Sequence, residues 1–358
     1  MAKPDDAPLW VWERVTEADI KVLRIPTPFQ VGRVNCYLIE DEPLTLIDAG
    51  PNSGKALVEL ERQLETLGHQ PEDIELLIIT HQHIDHLGLA DIIAKRSGAE
   101  VAAIDVVVPF VENFGDDAAR DDEEAAALMR RHGISEDVVT ALRQVTGSFR
   151  AWGSKTEVTR PLRDGELIAF ANRELEVQHR PGHSPSDTVF WDEQRRILIA
   201  ADHLIKHISS NPLISRPLDG SSKRTQALVA YLESLKKTRE LPAEIVLSGH
   251  GEPITDHVAL IDSRFTMHQR RAENLYRLIA EQPSTGHRLA QALWGDVAVT
   301  QAFLTLSEVI GHVDLLVNAE HVREVDDGEV LRYEITSDQP VEDLGDLIPG
   351  GNPALAQG

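Results

Sequence analysis

The 358-residue chain predicts a layered α/β sandwich, two sheets with helices on both outer faces (αββα), and three observations carry that expectation. Short apolar runs of strand length recur near residues 20–25, 34–40, 44–48, 75–80, 100–104, 166–170, 174–179, 187–191, 196–200 and 244–248. Helical repeats fall between some of them, so strands and helices alternate as they do in layered α/β proteins. Histidines and aspartates follow directly on several runs, which puts them in loops at strand ends, where side chains can converge instead of alternating across a sheet.

Taken in order, Gly54 to Leu67 carries Leu57, Leu60, Leu64 and Leu67 at helical spacing. The run Leu76-Leu77-Ile78-Ile79 ends in Thr80-His81-Gln82-His83-Ile84-Asp85-His86, and a helical pattern from Leu87 to Ser97 follows. Imidazole nitrogens and carboxylate oxygens are the ligands that zinc and similar first-row cations accept. Further candidates come at later strand ends: His183 after Leu175 to His179, Asp202 after Arg196 to Ala200, and His250 after Glu244 to Leu247.

Residues 105–153 interrupt the alternation with two helices, Asp121 to His132 and Ser135 to Thr146, expected to form a lid. Val106, Val107, Phe110, Val111, Phe114, Phe149 and Trp152 either line a nonpolar substrate pocket or pack this insertion. Beyond His250 come a long helix from Asp256 to Glu281, shorter ones at Thr285 to Trp294 and Thr300 to Asn318, and a hairpin from Val322 to Ile335 turning on Asp326-Asp327-Gly328. Three helices and a β-wing predict a winged-helix-like domain. The expected boundaries are 1–260 for a catalytic domain, 261–336 for the winged-helix-like domain and 337–358 for a tail.

The ordered motifs, H-x-H-x-D-H at 81–86 followed by His183, Asp202 and His250, resemble those of the metallo-β-lactamase-fold hydrolases. The resemblance spans roughly residues 20 to 260 and implies that His81, His83 and His183 hold one metal, Asp85, His86 and His250 a second, and that Asp202 bridges them. Asn35-Cys36-Tyr37-Leu38-Ile39 and Leu46-Ile47-Asp48-Ala49-Gly50 match the family's opening hairpin and aspartate turn, so Asp48 is expected to orient a ligand histidine. Ala201 stands where many members have glycine before the bridging aspartate. The implied cofactor is a pair of divalent ions, zinc first, with iron or manganese as alternatives. In the implied mechanism Asp85 and Asp202 are the catalytic carboxylates, acting with a metal-bridging hydroxide. His207 and His203 are candidate substrate contacts, while His268, His312 and the remaining histidines have no ligand context in the sequence.

Composition narrows the function. A net charge of -24 disfavours polyanionic substrates, and no Lys or Arg occurs between Leu289 and Val322, where a nucleic-acid-reading helix would need them. The single Cys36 excludes an intrachain disulfide, and neither a signal-peptide h-region nor a membrane-length apolar stretch is visible. The expectation is a cytoplasmic metal-dependent hydrolase of a small thioester or lactone, with no nucleic-acid or membrane partner and with homodimerisation allowed. A β-lactamase and a ribonuclease or phosphodiesterase of the same fold are the alternatives.

Overall fold

The computed structural model describes residues 7–337 except 219 and 222, together with 339, 340, 344, 345, 347 and 348. Most of the tail expected at 337–358 therefore lies outside the described residues. The described residues within Met1–Ala119, Ser148–Ser210 and Leu241–His257 form one compact unit, and those within Arg120–Gly147, Asn211–Glu240 and Val258–Gly358 form another.

In the first unit, β1 (Ile20–Ile25), β2 (Val34–Ile39), β3 (Thr45–Ile47), β4 (Leu76–Ile79), β5 (Glu100–Ile104) and β6 (Arg160–Leu162) make one sheet in sequence order. The second sheet runs β11 (Ile245–Ser248), β10 (Ile197–Ala201), β9 (Thr188–Asp192), β8 (Glu174–His179), β7 (Leu167–Ala169). Every residue of β2, β3, β4, β9, β10 and β11 is buried, as expected of strands covered on both faces. The pairing directions fix where the motifs go. Strand β10 is parallel to β11 and antiparallel to β9, which is antiparallel to β8, so β8, β10 and β11 all end at one edge. His183, Asp202 and His250 follow those three ends.

The ten expected runs all appear as strands, each within two residues of its expected bounds. The helix over Gly54–Thr66 is capped by Ser53, whose Oγ accepts from Ala56 N at 3.1 Å, and it buries Ala56, Leu60 and Leu64. The helix expected over Leu87 to Ser97 is instead two pieces, Ile84–Leu87 and Ala90–Ser97. Between them Gly88 lies so close to Asn52 N and Trp152 O that a side chain would collide with both. Helices at Leu9–Glu17 and Ala227–Arg239 and strand β6 were not expected. Ala227–Arg239 buries Leu228, Tyr231, Leu232 and Leu235 along one face, but Ser234 and Thr238 are buried with them while Val229 and Ala230 are not, which blurs the apolar contrast that reveals a surface helix.

The second unit contains β12 (Ser284–Thr285), β13 (Val322–Asp326) and β14 (Leu331–Ile335), antiparallel in the order β12-β14-β13. Helices Gly286–Trp294 and Ala302–Asn318 and most of His257–Glu281 accompany this small sheet. Ala126, Met129, Ile134 and Val139 from the insertion pack with Ala302, Leu306 and Ile310 in one apolar cluster. Apolar residues of both helices expected as a lid thus pack within this unit, while Val145 stays exposed. Arg224 grips Asp314 with both guanidinium nitrogens, at 2.8 and 2.6 Å. Among the described residues no helix is long and apolar enough to cross a membrane.

Candidate metal centre

Strand β4 delivers Thr80 and His81 to the edge of its sheet, and the Ile84–Leu87 turn of helix then presents Asp85 and His86. That turn is tied to the loop after β3: Ala49 N donates to His86 O at 2.8 Å, and Leu89 N to Gly50 O at 2.9 Å. Asp48 adopts φ 61°, a conformation costly for a residue with a side chain, and its carboxylate organises the ligands. It accepts from Thr80 N at 2.9 Å, from Thr80 Oγ1 at 2.8 Å and from His86 Nδ1 at 2.7 Å.

Hydrogen-bond partners fix which nitrogen three of the rings turn toward the centre. Because His86 Nδ1 donates to Asp48, its Nε2 is the nitrogen left to face a cation, which would displace the proton it otherwise holds. Thr80 Oγ1 spends its proton on Asp48 and so accepts from His81 Nδ1 at 3.0 Å, which leaves His81 Nε2 as the bare nitrogen. His250 Nδ1 donates to the Arg33 carbonyl at 2.9 Å, turning its Nε2 toward the centre likewise. His83 Nδ1 faces His183 Nε2 at 3.0 Å. The Nε2 atoms of His81 and His86 and Oδ1 of Asp202 are buried without a hydrogen-bond partner. Buried ring nitrogens and a carboxylate oxygen turned inward are the donor set a divalent cation satisfies, so the residues fit a metal.

The donors fall into two groups, His81, His83, His183 and Asp202 in one and Asp85, His86 and His250 in the other, the ligand atoms in each lying within 4.8 Å of one another. Asp202 reaches both: its oxygens stand 3.6 Å from His183 Nε2, 3.5 Å from His86 Nε2 and 3.4 Å from His250 Nε2. Asp85 Oδ2 is 3.4 Å from His250 Nε2. All the residues named from the H-x-H-x-D-H motif and the three later strand ends are therefore brought together. Without a cation, protons occupy the acidic side. Burial opposes a charged ring, yet Asp202 and Asp85 overcome it and lift His250 to about 10, and Asp202 and Asp48 hold His86 well above its ordinary value. Burial and neighbouring rings push the other way at His81, well below the usual range, and at His83, down to about 3. Burial also opposes the charge on Asp85 and Asp202, but His250 and His86 keep both carboxyls below their ordinary values.

Several positioning residues escaped the sequence reading. Asn35 Nδ2 donates to the carbonyls of Ser248 and Gly251, each at 2.9 Å, and Asn35 N donates to Gly249 O at 2.7 Å, so one residue of β2 clamps the His250 loop. Tyr37 adds a hydroxyl donor to Ser248 O at 2.5 Å. Asp187 closes the His183 loop by accepting from Ser184 N and Oγ at 2.9 and 2.8 Å, and Ser186 bonds Gln82. Gly249 leaves the room that Asp202 Oδ1 fills, since a side chain there would collide with it. Ala201 adopts φ 43°, so the loop keeps the left-handed backbone that glycine would take without strain. Only the polar types at 184–187 and the Asn35 beside an apolar strand could have hinted at these roles.

His203 is 1 % exposed, and its ring is held down to about 3 by burial, with Arg180 and His183 adding to the effect. His207 is exposed and lies against Gly251, next to His250. Val107, Phe110, Val111 and Phe114 are buried, and Gly153 packs against the Phe114 ring and Ile84, so these four serve the packing of the insertion. Phe149 remains half-buried, 5.6 Å from Phe29.

A two-sheet sandwich with this ligand set defines a metal-dependent hydrolase of the metallo-β-lactamase type. The family profile described as "Metallo-beta-lactamase superfamily" matches residues 30–250, and the chain belongs to that superfamily. It is 33 % identical over 322 residues to the probable metallo-hydrolase YqjP of Bacillus subtilis, covering 89 % of this chain and 98 % of the relative. A solved metallo-beta-lactamase family protein of Thermus thermophilus, TTHA1429, matches with a TM-score of 0.72 and 26 % identity over 88 % of this chain and 98 % of its own. The acyl-coenzyme A thioesterase MBLAC2 of Gallus gallus is 31 % identical over 134 residues, 33 % of this chain and 48 % of the relative.

Proposed function

We propose that the chain hydrolyses a small ester-like bond, in a thioester or lactone, at a centre holding two divalent ions, zinc foremost. The observation that carries this reading is Asp202, whose oxygens approach ring nitrogens of both ligand groups within 3.6 Å. His81, His83 and His183 would hold one ion, Asp85, His86 and His250 the other, and Asp202 both. Such a pair, when bound, supplies Lewis acidity and an activated water.

The chain's own residues set up the rest. Asp48, Thr80 and the Arg33 carbonyl fix three ligand rings by their far nitrogens, so ring orientation is set before a cation binds. Asp85 offers a proton acceptor on the His250 side. Ser184 Oγ is committed to Asp187, and Cys36 is a buried thiol of β2, raised well above its ordinary value by burial and by Asp48. His207, exposed beside the His250 loop, is the proposed substrate contact, ahead of the buried His203.

The charge of -24 and the partial likeness to an acyl-coenzyme A thioesterase support an acyl substrate over a nucleic acid. Residues 261–336 are proposed as a winged-helix-like packing domain that binds no nucleic acid, since 289–322 offers no Lys or Arg. A buried lone cysteine fits a cytoplasmic setting. The test is a hydrolysis panel of acyl-CoA thioesters, lactones, β-lactams, phosphodiesters and RNA with metal-loaded protein. Highest kcat/KM on a thioester or lactone supports the reading, and highest kcat/KM on a β-lactam or on RNA overturns it.

A further inference from the structure

We infer that His268, Glu308 and His312 form an additional divalent-cation site in the second unit, separate from the ligand set of the metal centre. Glu308 and His312 are one turn apart on the Ala302–Asn318 helix, hence on one face, and His268 comes from the His257–Glu281 helix. Their ligand atoms lie within 4.8 Å of one another, and all three residues are buried as ligands. His268 and His312 have no solvent exposure.

Two ring nitrogens meet in this cluster, and one further buried ring nitrogen has no partner. His312 Nδ1 donates to the Glu308 carbonyl at 2.6 Å, so His312 Nε2 must be the bare nitrogen, and it faces His268 Nδ1 at 2.9 Å. If His268 is protonated on Nδ1, it satisfies that contact, but its Nε2 is then a bare buried acceptor with no partner. If it is protonated on Nε2, two lone pairs oppose each other across 2.9 Å. The metal centre has the same signature, with His83 Nδ1 opposing His183 Nε2 at 3.0 Å.

Two imidazoles and a carboxylate suit zinc and its first-row neighbours, and three protein ligands leave one position for water. Glu308 Oε2 accepts from Arg271 at 2.7 Å, and Arg271 lines a cavity of about 850 Å³ with Met267, Asn274 and Trp294. Its guanidinium lies 5.6 Å from the Trp294 ring centre.

The site is tested on the full chain, stripped with chelator, reloaded with Zn²⁺, desalted and assayed for metal per chain. Wild type should carry one ion more than His268→Gln or His312→Gln, with hydrolysis unchanged in both variants. The same one-ion difference should appear when His268→Gln is added to Asp202→Ala, which makes the result independent of the catalytic reading. Equal metal content in wild type and in folded variants overturns the site. Should the histidine variants not fold, anomalous scattering at the zinc edge from loaded wild-type crystals decides: a peak between His268 and His312 supports the site, and none overturns it.

Discussion

At the strand-end cluster of the first unit, His86 hands its far nitrogen to Asp48, His81 to Thr80 and His250 to the Arg33 carbonyl. In the helix-face cluster of the second unit only His312 is fixed this way, by a carbonyl of its own helix, and the carboxylate is already paired with Arg271. The first arrangement spends a buried aspartate at φ 61° and a threonine on orienting rings. The second spends nothing beyond helix packing. A centre built for turnover needs ligands held in advance of the cation, whereas a cluster that only has to bind can let the cation do the ordering. The two should therefore respond differently to the same perturbations.

The largest difference is expected from Asp202→Ala. Removing the carboxylate shared by both ligand groups should cost roughly 10³-fold in turnover, about 4 kcal/mol of barrier, while circular dichroism stays that of the folded chain. The ion assigned to the helix-face cluster should remain. Wild-type rates at equal metal loading would refute the shared role of Asp202.

Asp48→Asn makes the first cluster more like the second. An amide can still accept from Thr80, but it no longer offers His86 a charged acceptor, so metal affinity or activity should drop about 10- to 100-fold. Competition with a chromophoric chelator measures this directly, and an affinity unchanged within error would show that Asp48 has only a structural role.

Acid and base should also separate the clusters. His250 is raised to about 10 in the metal-free fold, so its stabilising contribution is complete below the unfolded value near 6.5 and is lost as pH rises toward 10. The carboxyls of Asp85 and Asp202 are lowered and stay charged across this window. Stripped protein should thus melt at lower temperature as pH goes from 6.5 to 10, while zinc binds more tightly over the same range because it no longer has to displace that proton. Calorimetric titrations in buffers of different ionisation enthalpy should report proton release on binding. A stripped-protein Tm that rises with pH over this window would contradict the assignment.

Ala201→Gly should have the smallest effect. Relief of the left-handed φ, about 1–2 kcal/mol, is offset by the lost methyl burial and the greater freedom of glycine in the unfolded chain. Stability should move by less than about 1 kcal/mol, with turnover unchanged. A loss above about 2 kcal/mol would mean that the methyl packing outweighs the backbone strain.

What the sequence made legible follows the same contrast. The metal motif could be read because its ligands cluster along the chain or sit alone at the ends of strands whose apolar runs are unmistakable. Asn35, Tyr37 and Asp187 could not be read as positioning groups, because their partners are backbone carbonyls or loop atoms that only the folded register brings near. His268 and His312 are 44 residues apart on two helices, and nothing in either neighbourhood signals a ligand. Ala227–Arg239 was missed for a different reason, the polar Ser234 and Thr238 on its buried face, and the break after Leu87 because Leu89 N donates to Gly50 O, a partner distant in the chain. The insertion at 105–153 was seen as two helices, yet the packing of Met129 and Val139 with Leu306 and Ile310 is a tertiary fact with no local pattern.

The central claim is that hydrolysis depends on the cation held by His81, His83, Asp85, His86, His183, Asp202 and His250. The most direct test is to strip the full chain with chelator, add zinc stepwise, and follow thioester hydrolysis and bound metal in the same samples. Activity near zero when stripped, and restored in step with occupancy in wild type but not in Asp202→Ala, is the predicted result. Full activity in the stripped protein would contradict it.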